Sequence, residues 1–68
     1  MNAIVNGEAR VLPAGATVAS VLDLLDVAPD ARGIAVAVDG EVVARSRWEA
    51  TPLSDGSMVE VVAAIGGG

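Results

Sequence analysis

Two dipeptides do most to limit how this chain can fold. Asn6-Gly7 and Asp39-Gly40 each sit between short β-prone runs. An Asn-Gly or Asp-Gly pair in that setting favours a type I′ turn. Such a turn needs positive φ at both central positions, which Asn, Asp and Gly tolerate best. Residues 2–12 therefore read as one hairpin. Ile34–Val38 and Glu41–Ala44 read as a second. Asp55-Gly56 marks a third turn before the run Met58 to Ala63, in which Val59, Val61 and Ala63 alternate with Met58, Glu60 and Val62. Ile34–Val38 is apolar at every position, as expected of a strand that is covered on both sides or central in its sheet.

One helix is predicted between the hairpins. Pro13 and Gly15 break the second strand. Thr17 stands where an N-cap belongs, its hydroxyl placed to accept from first-turn amides. Val18, Val21, Leu22 and Leu25 follow at i, i+3, i+4 and i+7, a single apolar stripe. Asp23 and Asp26 lie off that stripe, and two carboxylates without His or Cys make a poor metal site. Pro29 is read as the end of the helical region, and residues 45–52 as a short helical turn or irregular crossing. One helix has one stripe to bury, so it needs one sheet face. The expected class is α+β, a mixed sheet of about five strands on one main helix.

Sixty-eight residues make one domain with a thin core. Hydrophobic residues are 53% of the chain, yet Trp48 is the sole aromatic. Covering that core is its expected job, although Trp also favours interface anchors. Arg45 and Arg47 are expected to be solvated. A net charge of −5 argues against nucleic acid and anionic membranes as partners. No apolar run approaches membrane-spanning length and no signal-like segment opens the chain, so a cytoplasmic location is expected. His, Cys, Lys and Tyr are all missing. These supply most general bases and nucleophiles, so a self-contained enzyme is not expected.

The sequence closes with Gly66-Gly67-Gly68 directly after an apolar run. Glycine backbones enter spaces closed to other residues. A terminal α-carboxyl, with a reference pKa of about 3.3–3.7, is ionised at neutral pH. Such a carboxylate is able to attack a nucleoside triphosphate and form an acyl-adenylate. The expected organisation is a domain over residues 1–65 and a flexible glycine tail over 66–68.

The order hairpin, helix, hairpin, crossing, strand is that of the ubiquitin-like β-grasp fold, in which the first and last strands are parallel neighbours mid-sheet. The chain also resembles the ThiS family, the sulfur carriers of thiamine (thiazole) biosynthesis. The likeness is carried in order by Val5-Asn6-Gly7-Glu8, Ala16-Thr17-Val18, Val36-Ala-Val-Asp-Gly-Glu-Val-Val43, Arg45-Ser46, Trp48, Thr51-Pro52-Leu53, Asp55-Gly56, the Val59–Val62 strand and Gly67-Gly68.

The resemblance implies that an E1-like adenylyltransferase of ThiF type uses ATP to adenylate the Gly68 carboxylate. A sulfur donor such as a cysteine desulfurase system then converts it to a thiocarboxylate, and thiazole synthase of ThiG type takes the sulfur. No cofactor is expected to be bound by the carrier itself. Gly67 is the second matching position. Gly66 departs from the larger or polar residue often found there, which removes a side chain a partner would grip. Ile65, Leu53 and the exposed face of the last strand are the candidate docking patch. The competing readings are a sister carrier resembling the small subunit of molybdopterin synthase, a ubiquitin-like protein modifier, and a plain binding module with an inert end.

Overall fold

The computed structural model describes residues 1–28 and 30–63. Its elements are β1 (Asn2–Val5), β2 (Glu8–Val11), α1 (Val18–Leu24), β3 (Ile34–Val38), β4 (Glu41–Val43), a 3-10 turn (Arg45–Arg47) and β5 (Met58–Ala63). The sheet order is β2-β1-β5-β3-β4. Both hairpins close as the dipeptides require, with φ of 49° and 82° at Asn6 and Gly7 and 50° and 85° at Asp39 and Gly40. The Asp55-Gly56 turn is of another kind. Only Gly56 has positive φ there, at 87°, and the turn is closed by Ser57 N–H donating to the Ser54 carbonyl at 3.0 Å.

β5 lies in the middle of the sheet, parallel to β1 and antiparallel to β3. β3 sits between β5 and β4, the interior place its uninterrupted apolar run calls for. One face of the sheet carries Ala3, Val5, Val36 and Val59, which join Val18, Val21 and Leu22 of α1 in the core. Leu12, Ala16, Trp48 and Leu53 complete it. The largest side chains fully enclosed are all valines, at 18, 21, 36 and 59. They pack without much rotamer freedom to lose.

The helix is shorter than its periodicity suggests, and its ends explain why. Thr17 is the N-cap and forms a capping box with Ser20, whose hydroxyl accepts from Thr17 N–H at 2.9 Å. The first free amides of the helix find partners outside it. Val18 N–H donates to the Thr51 carbonyl at 3.1 Å and Ala19 N–H to the Trp48 carbonyl at 3.1 Å. The crossing segment thereby satisfies donors that every helix start leaves open. The far end stops at Leu24, ahead of Pro29, which is outside the described residues. Asp26 takes φ of 61°, Val27 N–H reaches the Leu22 carbonyl at 2.9 Å, and Asp26 N–H reaches that of Asp23 at 3.0 Å. This is a Schellman closure, with Asp where Gly is usual. A left-handed residue cannot continue the helix, so no proline is needed to end it.

Candidate functional site

The site is assembled around β5, because that strand leads into the glycine-bearing segment. Residues Ile65, Gly66, Gly67 and Gly68 lie outside the described residues, as does the boundary expected at 65/66. What the fold does establish is how firmly the strand before them is held. On one side, five residue pairs run from Ile34↔Ala63 to Val38↔Val59. On the other, Ile4↔Met58 and Val5↔Val59 pair in parallel. Ile4 N–H donates to the Ser57 carbonyl at 2.8 Å and Asn6 N–H to that of Val59 at 2.9 Å.

Turn side chains add three bonds that the sequence reading missed. Asp39 Oδ1 accepts from Met58 N–H at 2.9 Å. Asn6 Oδ1 accepts from Val61 N–H at 2.8 Å. Asp55 Oδ1 accepts from Asn2 N–H at 2.7 Å. Backbone preference alone is enough to place these residues in turns. A clue was available: Asn and Asp bring a side-chain acceptor that Gly, equally good in such turns, lacks.

The outer face of the sheet is unusual. Alternation along β5 sends Val59 inward, 1% exposed, and leaves Met58 and Val62 55% and 57% exposed. Ile4 stands opposite Met58, Ala35 opposite Val62, and Val42 opposite Ala37. Val11 and Val42 are 80% exposed. Along the described strands, Glu60 is the one charged residue on this face. An antiparallel edge that meets water normally presents polar side chains. Exposed apolar side chains gathered on one sheet face make that face a candidate interaction surface.

Leu53 is the described member of the candidate docking pair Ile65 and Leu53. It is 8% exposed and belongs to the core, where its N–H also donates to the Ala16 carbonyl at 3.0 Å. A lone apolar residue after Pro52 carries no periodicity to say which way it faces. Trp48 is a core residue as well, 4% exposed. Its Nε1–H donates to the Val43 carbonyl at 3.0 Å, and the Arg45 guanidinium stacks 4.5 Å from its ring centre. Arg45 and Arg47 are exposed, as are Asp23 and Asp26. Arg45 also donates to the Ala31 carbonyl. A groove between α1 and the crossing, on the helix side of the sheet, is lined by Leu22, Asp23, Val27, Arg45, Trp48 and Glu49. Among the described residues no group of three or more acidic side chains is placed to hold a metal ion. No helix among them is long and apolar enough to cross a membrane.

A mixed five-strand sheet on one helix, with its central last strand leading to a Gly-Gly motif, defines a ubiquitin-like β-grasp protein. The ThiS family model matches residues 3–68. This chain belongs to the ThiS family. It superposes on the crystal structure of the thiamine biosynthesis protein ThiS from Geobacter metallireducens with a TM-score of 0.81, at 36% identity and over 100% of both chains. The solution structure of a thiamine biosynthesis protein from the same organism gives 0.77 at 36% identity, covering 100% of this chain and 88% of that one. A protein named thiazole synthase from Paramagnetospirillum magneticum is 40% identical over 68 residues. The match takes in all of this chain but only 20% of that protein's length.

Proposed function

We propose that this protein carries sulfur for thiazole formation as a thiocarboxylate on Gly68. The observation that carries the reading is the family match, which extends through Gly67-Gly68. In the proposed cycle the Gly68 carboxylate attacks the α-phosphorus of ATP on an E1-like enzyme, and pyrophosphate leaves. A sulfur nucleophile then attacks the acyl carbon: hydrosulfide gives the thiocarboxylate directly, whereas a donor persulfide gives an acyl disulfide that a second thiol cleaves, leaving the thiocarboxylate on Gly68 and a disulfide on the donor side. AMP departs with one of the carboxylate oxygens, so the terminus keeps one oxygen and gains one sulfur. The chain contains no His, Cys, Lys or Tyr, so it supplies the reacting terminus and its aim while partner enzymes supply the catalysis. Thiazole synthase is the proposed acceptor, supported by the likeness to a segment of a protein of that name. A side-chain-free tail threads a narrow entrance, and a closed active site protects an acyl-adenylate from water.

The test is intact mass after incubation with ATP, the E1-like enzyme and a sulfur source. A single oxygen-to-sulfur exchange at the C-terminus supports the reading. Conjugates to lysines of other proteins would make the protein a modifier instead, and no change with demonstrably active partners would sink both.

The docking surface proposed for the activating enzyme is the outer face of β5, where Met58 and Val62 flank Glu60, with Ile65 following in sequence. Val62→Asp places a charge on that face at a position already 57% exposed, so folding tolerates it. Binding to the E1-like enzyme is expected to weaken by about tenfold or more, as for loss of a central interface contact. Unchanged affinity in a titration would move the docking surface elsewhere.

A further inference from the structure

Parallel pairing of β1 with β5 ends at Val5↔Val59, because the chain turns away at Asn6-Gly7. β5 continues to Ala63, held there by β3 on one side. On the opposite side, the first amide beyond the end of β1 is Val61 N–H. Its acceptor is Asn6 Oδ1, at 2.8 Å. The Asn6 backbone meanwhile donates to the Val59 carbonyl at 2.9 Å. One residue thus brackets Glu60 and extends the ladder one step past the point where its backbone ends. We propose that Asn6 is a positioning residue: its side-chain carbonyl replaces the missing β1 partner and fixes the direction in which the chain leaves the sheet toward the glycines.

Two arguments support this. Three glycines offer a partner no side chains to grip, so the aim of the terminus is set at its root, and Val61–Ala63 is the last described part of that root. Turn chemistry by itself does not demand Asn. With φ of 49° at Asn6, Gly would serve the turn equally. What Gly would lose is the bond to Val61. The fold also provides a matched control. Asp39 occupies the same place in the other type I′ turn, with φ of 50°, and its Oδ1 holds Met58 N–H at the opposite end of β5.

The inference rests on the carrier reading, and the experiment separates the two. Asn6→Gly and Asp39→Gly each keep a Gly-Gly turn and each remove one acceptor from a β5 amide. Amide hydrogen exchange is expected to rise about tenfold or more at Val61 in Asn6→Gly only, and at Met58 in Asp39→Gly only. With the E1-like enzyme, ATP and sulfur donor, Asn6→Gly is expected to raise KM by about threefold to tenfold, the scale of one lost hydrogen bond, while kcat stays within about twofold. Asn6→Asp, which keeps the acceptor and tolerates the turn, is expected to restore KM, and Asp39→Gly, whose lost bond lies at the opposite end of β5, to raise it by clearly less than Asn6→Gly. Equal effects from the two glycine variants would mean that only general strand stability matters, and would overturn the proposal. So would an unchanged Val61 exchange rate or an unchanged KM in Asn6→Gly. If the wild-type protein gains no sulfur with active partners, the carrier reading fails, and the Val61 exchange rate still decides whether Asn6 secures the strand exit.

Discussion

Deleting Gly68 is expected to abolish sulfur loading while leaving the domain folded. One residue spans about 3.3–3.6 Å of extended chain. Withdrawing the carboxylate by that distance moves it well past the tolerance of an assembled active site, where a misplacement of 1 Å already costs about 100-fold. The expected rate is therefore below about one hundredth of the wild type. Gly68 is five positions beyond Ala63, the last described residue of β5, so none of the sheet hydrogen bonds among the described residues is touched. Intact mass reports the loading and chemical denaturation the stability. Loading that persists in the shortened chain would place the reacting carbonyl elsewhere. A collapse of stability would give the terminus a structural role.

The other large effect is expected at Trp48. Replacing Trp48 by Ala empties the biggest volume in a core otherwise built from Val, Leu and Ala. Substitutions of this kind cost about 3–5 kcal/mol. The change also removes the donor to the Val43 carbonyl and the ring beneath the Arg45 guanidinium. At about 0.05–0.15 kcal/mol per residue, a domain of this size holds only about 3–10 kcal/mol in all. The melting temperature is expected to fall by more than about 12 °C, since each kcal/mol is worth about 4–8 °C in a domain of this size. Trp48→Phe keeps most of the volume and is expected to recover most of the loss. A drop of only a few degrees in the alanine variant, paired with weakened binding to the activating enzyme, would return Trp48 to the role of an interface anchor.

The parts of this fold that were legible in the sequence are those decided locally. Asn6-Gly7 and Asp39-Gly40 sit in left-handed backbone because few other residue pairs do so cheaply. The stripe Val18, Val21 and Leu22 faces the core because its spacing is that of a helix. The central place of β5 came from the order of elements together with the ThiS resemblance. What stayed hidden depends on partners far along the chain. Val61 and Asn6 are 55 positions apart, and no local pattern announces a side-chain carbonyl standing in for a strand. Leu53 joins Ala16 and Trp48 in the core, a placement made by residues distant in sequence. The helix ends early because Asp26 adopts a conformation that composition would have reserved for glycine. At the candidate site, Gly67 and Gly68 were legible as a motif. The apolar outer face of the sheet was visible only in part, through β5, because its other members come from strands that meet only in the folded molecule.

The parallel contact between β1 and β5 also has a meaning for synthesis. The first strand made has to wait for the last before the middle of the sheet exists, and neither hairpin can supply that contact by itself. Pairings between distant parts of a chain are slow to close and come late in folding. A chain interrupted between β4 and β5 therefore has two separate hairpins and no central strand to join them. Folding thereby becomes a proof of near-complete translation: only a chain made through β5 holds the strand that joins the two hairpins into one sheet.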